Sequence, residues 1–506
     1  MVKLIATTVL TLTLVSVTFI FDHELWTPDE PRDAEIGREI GFSAVPTLNG
    51  KPFLEKPPLY FWTVAASYKL FGVSAWAARL PSMLFAWGTW LVTFLLARRM
   101  FNNSVGLYAI LILGTMVMFF DITHKSTVDN ALVFCSSATW YALYAAYRAT
   151  TRKLSWYCLA YVCSLGVLMS KGLVGLALIA PAFLVFLVWQ KDYREILRAQ
   201  PWIALIVIGA GAALWLAQLT PELRSVWLID NHLGRLTGKF RTSGHINPFY
   251  YYSITWFYAL APWTLAFVPT IIWAAKPADS AEKRWLLSWF IIGVAILSLA
   301  STKREIYMLP LLPAAAILIG AWFDQVRERP KWANGLLWTF LGLVLVAQLG
   351  VWVVGIGLKQ WNGALFAIVI AAAAFGLFVY AGRGWPVGLA LATASALVGG
   401  FSLIAPVVDE TKNLAPFSRQ LRHLDSVAAL KPDETTLAVI PFYANLSVIA
   451  VDSPTGDYLV VTLKRRNEKP PEGYQVIAKH DPEPVKFFHY RLNLSDRRIF
   501  LLKRSS

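Results

Sequence analysis

Two short polar segments near the N-terminus hold the residues best suited to chemistry. They read Thr27-Pro28-Asp29-Glu30-Pro31-Arg32-Asp33-Ala34-Glu35 and Asn49-Gly50-Lys51-Pro52-Phe53-Leu54-Glu55-Lys56-Pro57-Pro58. Pro28 and Pro31 fix the backbone around the adjacent acids Asp29 and Glu30. A carboxylate held there can take a proton from an acceptor or orient a cationic partner. The plain alternative is that these acids sit at the start of a helix near Pro31, where negative charge is favoured. Lys56 is a compact charge suited to phosphate, and Pro57 restricts it to extended backbone. Against this stands an interfacial lysine that pairs with lipid headgroups or with Glu55.

Further candidates follow along the chain. Asp129 comes shortly after His124-Lys125, and Lys171 lies in Ser170-Lys171-Gly172. The ordinary readings are a helix-start acid and a snorkelling lysine. Asn231-His232 and Arg235 share a polar stretch with Lys239, Arg241 and His245, a basic grouping that suits phosphate oxygens. Lys303-Arg304, followed by Tyr307, forms the last cluster. Glu55, His232 and His245 are the available metal ligands, but no HxxxH-like spacing joins them. A divalent metal is therefore unsupported, and no cofactor is required by the reading.

These residues must be positioned by membrane-spanning elements. Of 506 residues, 57% are hydrophobic and only 15% charged, against roughly 25% charged in ordinary soluble domains. Apolar runs near the roughly 20 residues that cross a bilayer recur through residue 405. Thirteen spans are expected, at about 3–21, 76–97, 105–121, 129–147, 155–170, 172–190, 200–219, 249–275, 285–300, 307–323, 333–358, 363–381 and 386–405. Residues 3–21 follow Lys3 as a signal peptide would, but lack a small-residue cleavage pattern and read as a retained first helix.

The net charge of +15 is mostly loop Lys and Arg rather than a nucleic-acid footprint. Arg98-Arg99, Arg148 to Lys153, Lys191 to Arg198, Lys276 to Arg284, Arg327 to Lys331, and Arg383 each follow an even-numbered span. That pattern places the N-terminus and these loops in the cytoplasm and the candidate residues on the opposite face. Lys303-Arg304 on that face runs against the charge bias and asks for an anionic ligand. Within the first outer loop, residues 31–41 and 59–72 suit helices lying in the interface. Cys135, Cys158 and Cys163 fall in or beside spans and read as small apolar residues.

From residue 406 the composition becomes polar. Short runs at 436–440, 458–463, 474–477 and 498–502 read as strands. The expected architecture is an all-α polytopic membrane region, 1–405, and a small soluble α/β domain, 406–506, emerging on the outer side.

The motifs together resemble the GT-C polyprenyl-phosphate-sugar-dependent glycosyltransferases, the protein mannosyltransferase-like family, and most closely the bacterial lipid A aminoarabinose transferases. The resemblance rests on Trp26 to Ile36, Asn49 to Pro58, Lys171-Gly172, Asn231 to Arg235, His245 to Tyr252 and Lys303 to Pro310, in order. It implies an inverting sugar transfer from an undecaprenyl-phosphate-type carrier to lipid A or another envelope acceptor. It also implies roles for residues. Asp29 would stand near the reacting centre, with Asp129 as a second acid and Glu55 beside them. Lys56, Arg235 and Tyr307 would hold the carrier phosphate, with Lys303 and Arg304. Glu30, Arg32, His232, His245 and Lys171 would line the cavity. The C-terminal domain carries no quotable family motif and is short for that family. A protein O-glycosyltransferase is the rival within enzymes. A lipid flippase predicts paired halves and polar midplane residues, neither of which the sequence shows. A lipid-binding scaffold would tolerate loss of Asp29.

Overall fold

The computed structural model describes residues 2–234, 237, 245–276, 280–326, 339, 342, 346, 349–358, 360, 362, 367–368, 371, 385–463, 468–487, 490–492 and 497–505. Among them, five helices are long and apolar enough to cross a membrane, or seven if each of two sharply bent pairs is one span. The five are Ala75–Met100, Lys153–Lys171, Leu173–Gln190, Glu305–Gln325 and Val387–Lys412. The expected span at 105–121 is instead two helices, Asn103–Gly114 and Val117–Thr123, bent by 70°. The expected span at 249–275 is Tyr251–Leu260 and Thr264–Ala275, bent by 114°, with Ala261 and Pro262 at the break. Val2–Val17 and Pro201–Leu216 are shorter apolar helices, and Asp129–Arg148 carries more polar residues than the others. The expected spans at 333–358 and 363–381 lie largely outside the described residues.

The helices pack through aromatic side chains. Trp140 stacks on Trp289 at 4.9 Å and meets Trp285 edge-on at 5.4 Å, all fully or almost fully buried.

The first outer loop folds into two helices, Asp29–Ile40 and Leu59–Phe71. Between them Thr47–Leu48 pairs antiparallel with Lys51–Pro52. Asn49 and Gly50 form the two-residue turn, with φ of 52° and 72°, the left-handed geometry that makes Asn-Gly a hairpin signal. Glu39 accepts from both turn N–H groups, at 2.6 and 3.1 Å. This small loop core is shared with the C-terminal region. Ala34, Ile36 and Ile40 pack with Tyr60, Phe61 and Val64, and with Val439, Ile440 and Tyr443.

The C-terminal region carries one five-stranded sheet. Ser426–Leu430 lies parallel to Ser447–Val451 on one side and to Tyr458–Leu463 on the other. Arg498–Arg504 then pairs antiparallel with both Tyr458–Leu463 and Tyr474–His480. The run 436–440, expected as a strand, is helical within Glu434–Ala444. Its capping outweighs its β-branched content: Asp433 accepts from the Thr436 N–H at 2.9 Å, and Asn445 ends the helix in left-handed conformation. The helix Trp385–Lys412 runs across residues 405 and 406 without a break.

Candidate active site

Asp29 opens the helix Asp29–Ile40, so Arg32 lies on the same face one turn on. Arg32 reaches one Asp29 oxygen at 3.0 Å, and Arg304 reaches the other at 3.2 Å. Arg32 also pairs with Asp33 at 3.0 Å and with Glu434 of the C-terminal region at 3.4 Å. Burial works to raise the Asp29 carboxyl. The guanidiniums of Arg32 and Arg304, with Lys56, outweigh it and hold Asp29 down at about 2. Asp33 is 1% exposed. Burial, reinforced by the Asp29 charge, pushes Asp33 up to about 6 despite Arg32.

Asp129 starts the helix Asp129–Arg148 and is buried, not surface-exposed as a simple helix-start acid would be. It forms an ion pair with Lys171. The Lys171 ammonium also lies 4.5 Å from the centre of the Tyr307 ring. Gly172 follows with φ of 76°, and a side chain there would run into His232. His232 donates from Nδ1 to the Trp227 carbonyl at 2.7 Å, and its Nε2 accepts the Leu173 N–H at 3.1 Å. The two ring nitrogens thus tie the backbone after Gly172 to the segment that carries Asn231 and His232. Asn231 completes the tie by donating to the Leu54 carbonyl at 2.8 Å.

These groups enclose a polar cavity of about 370 Å³, walled by Asp29, Arg32, Asp33, Glu55, Lys56, Asp129, Lys171, His245, Arg304, Tyr307 and Glu434 among others. It continues into an apolar groove of about 270 Å³ that shares Glu55, Lys56, Lys171 and Tyr307. Leu173, Val174, Ala177, Trp227 and Leu297 line that groove, with His232 beside them. A third cavity, about 470 Å³, meets the polar one at Pro28 and Asp29. It is walled mainly by apolar residues such as Trp26, Phe120, Leu397, Phe401 and Ile404, with Asp29, Glu30, Asp121, Lys125 and Lys412 at its charged positions.

The expected Glu30 and Lys303 do not line the polar cavity. Glu30 is 2% exposed and lines the third cavity rather than the polar one. It takes Arg79 at 2.8 and 3.1 Å, and accepts the N–H groups of Trp26 at 3.0 Å and Ser126 at 3.0 Å. Lys303 is 3% exposed and donates to the carbonyls of Asn247, at 2.9 Å, and Ala300. It braces the loop that carries Arg304 instead of facing the cavity. Arg235 lies outside the described residues, as do Lys239 and Arg241.

Sequence reasoning missed two residues. Arg79 is fully buried, and donates to the His23 and Glu24 carbonyls at 2.8 Å each as well as to Glu30. Through Glu30 it fixes the residue next to Asp29 and the backbone three positions before Asp129. An arginine inside an apolar helix was the available signal. Glu434 belongs to a region with no motif, so only the three-dimensional fold could bring it to the site. Tyr252 explains part of the His245-to-Tyr252 pattern: its hydroxyl donates to the Arg304 carbonyl at 3.1 Å.

The fold and the site define a multi-pass membrane protein with a charged cavity that opens into apolar grooves. Residues 55–218 match the family model of dolichyl-phosphate-mannose-protein mannosyltransferases. The chain is 31% identical over 474 residues to the undecaprenyl phosphate-alpha-4-amino-4-deoxy-L-arabinose arabinosyl transferase of Pectobacterium carotovorum, covering 87% of this chain and 83% of that protein. On that similarity, the chain belongs to the undecaprenyl phosphate-aminoarabinose arabinosyl transferase family. It spans 60% of the length of the corresponding Serratia proteamaculans protein, at 30% identity over 64% of this chain. The fold is that of the ArnT protein from Cupriavidus metallidurans, solved bound to undecaprenyl phosphate, with a TM-score of 0.75 at 19% identity, covering 99% of this chain and 97% of that one. The archaeal oligosaccharyltransferase AglB from Archaeoglobus fulgidus is similar at a TM-score of 0.55 and 11% identity, covering 91% of this chain and 69% of that one.

Proposed function

We propose that this protein transfers an aminoarabinose-type sugar from undecaprenyl phosphate to a lipid acceptor of the bacterial envelope, lipid A being the favoured one. The observation that carries the reading is the meeting of three cavities at one charged centre. The apolar groove that shares Lys56, Lys171 and Tyr307 with the polar cavity suits the carrier's tail, with its phosphate beside the two lysines and the Tyr307 hydroxyl. The separate apolar cavity that reaches Asp29 suits a second lipid, which favours a lipid acceptor over a protein one.

In the reaction, an acceptor oxygen attacks the anomeric carbon while the bond from that carbon to the carrier phosphate breaks. The phosphate leaves with the electron pair, and Lys56 with its cationic neighbours stabilises the growing charge. Attack from the face opposite the leaving phosphate gives inversion. Asp29, held near 2, is a weak base. A hydroxyl acceptor needs a base matched to working pH, whereas a phosphate acceptor is already ionised and needs only orientation. The site therefore supports a phosphate group on the acceptor lipid, with Asp29 and Arg304 orienting the reacting groups. Asp129 holds Lys171 at the phosphate end, and Glu55 lines the cavity there.

The reading includes an inner-membrane location, thirteen spans, a cytoplasmic N-terminus, and a division into the membrane region 1–405 and a periplasmic domain 406–506. The loop charge pattern supports it. The test is transfer by purified protein in detergent, from radiolabelled undecaprenyl-phosphate aminopentose to total envelope lipids, with wild type beside Asp29→Asn. Label moving to lipid with wild type alone is the expected result. No lipid labelling by folded wild type would overturn the reading.

A further inference from the structure

We propose that Trp263 and Thr115, at the breaks of the two sharply bent helix pairs, are positioning residues that set Arg304 against Asp29. The inference rests on the transfer reaction proposed above.

The two breaks meet inside the protein. Thr115 and Met116 separate Asn103–Gly114 from Val117–Thr123, and residues 261–263 separate Tyr251–Leu260 from Thr264–Ala275. A broken span leaves backbone N–H and C=O groups without helical partners in apolar surroundings. Here the Val117 N–H donates to the Ala261 carbonyl at 2.9 Å. That one bond joins the breaks but leaves the helices free to swivel about it. The indole N–H of Trp263 adds a second, donating to the Thr115 hydroxyl oxygen at 3.0 Å. The Thr115 proton is committed to the Leu111 carbonyl at 2.6 Å, so its oxygen is left to accept. Both side chains are fully buried. Two bonds at different points fix the angle between the outer halves, Val117–Thr123 and Tyr251–Leu260, which lie against each other.

One outer half is anchored to the helix that begins with Asp129, because Asn130 donates to the Ile122 carbonyl at 3.0 Å. The other carries the loop of Arg304. Just before it, the His245 carbonyl accepts the Lys303 N–H at 2.8 Å, and the Asn247 side chain donates to the Lys303 carbonyl at 3.1 Å. Tyr252 then holds the Arg304 carbonyl at 3.1 Å, and Tyr251 the Glu305 carboxylate at 2.9 Å. The backbone of Arg304 is thus bracketed by one half-helix, while its guanidinium meets Asp29 at 3.2 Å. A change of angle at the breaks is carried along the helix to that contact. Misplacing a reacting group by about 1 Å costs on the order of a hundredfold in rate.

The test is a double-variant cycle on kcat in the full-length protein, with thermal midpoints measured beside it. Thr115→Val keeps the shape, removes the acceptor and should lower kcat roughly tenfold. Thr115→Ser keeps the hydroxyl and should stay within about threefold of wild type. Arg304→Lys alone should also lower kcat roughly tenfold. Thr115 and Arg304 share no hydrogen-bond partner among the described residues. Losses at such separate sites ordinarily multiply, here to about a hundredfold. A bond that only satisfies a buried donor would give that product. If Thr115 acts through Arg304, the double variant should instead fall no more than about threefold below Arg304→Lys. Multiplied losses, a wild-type kcat in Thr115→Val, or an equal loss in Thr115→Ser would overturn the assignment. Trp263→Phe removes the donor and runs the same cycle should Thr115→Val not fold. A wild type that transfers no sugar would instead overturn the underlying reaction, so the two failures are distinguishable.

Discussion

At the residue scale, the site works by crowding charge until each group's state is set by its neighbours. Arg32 is the hub, shared by Asp29, Asp33 and Glu434. That Asp29 and Lys56 lie close together was legible in the sequence because both sit in short, proline-bracketed charged segments of one loop, and both line the polar cavity. Glu30 and Lys303 looked equivalent to their neighbours, yet serve as structure. Which of two adjacent charges faces a cavity is decided by backbone direction, and that cannot be read from composition. The charge balance also predicts a pH effect. The native Asp33 carboxyl sits at about 6 against an ordinary value of 3.8, so the folded state binds a proton that the unfolded state has released. Stability should therefore fall as pH rises through that window, by on the order of 2–3 kcal/mol. Thermal midpoints in detergent between pH 4 and 7 should show this slope, to which Glu35, pushed up to about 7 by burial, adds in the same direction, and Asp33→Asn should lessen it. An Asp33→Asn protein with the full slope would contradict the assignment.

At the element scale, the outer loop is built from short helices and one hairpin whose ends are tied down by side chains. The segments 31–41 and 59–72, expected as helices, are helical at Asp29–Ile40 and Leu59–Phe71, because their apolar spacing and flanking prolines are local signals. The sharp bends at residues 115–116 and 261–263 were not legible, since continuous apolar composition does not reveal a break. The helix at 434–444 was misread from its β-branched run, although Asp433 and Asn445 offered caps. Gly172 illustrates how an element junction serves the site. Its positive φ and its contact with His232 leave no room for a side chain. Gly172→Ala should push His232 off Leu173 and displace Lys171, lowering transfer at least tenfold while costing on the order of 1–2 kcal/mol in stability. Transfer rates beside a thermal melt would check this, and wild-type activity in a folded variant would contradict it.

At the scale of the whole molecule, the C-terminal region is docked onto the first outer loop rather than appended to it. Tyr443 accepts from the Leu25 N–H at 2.9 Å, and Trp26 donates to Asp409 at 3.0 Å. Asn49 brackets Val448, donating to its carbonyl at 2.7 Å and accepting its N–H at 3.3 Å. None of this was visible in the sequence, where the partners stand about 400 residues apart and share no pattern. Overall membrane character was legible because composition reports it directly. The proposed orientation makes its own prediction. A reporter fused after Arg383 should give a cytoplasmic signal, and one after Ser506 a periplasmic signal. The reverse pair would put the cavity on the wrong face. The most direct test of the account is sugar transfer by Lys56→Ala, with insertion and folding confirmed beside wild type. If a carrier phosphate leaves under Lys56, transfer should fall at least a hundredfold, in line with removal of one charge-stabilising donor. Turnover at the wild-type rate would contradict the central claim.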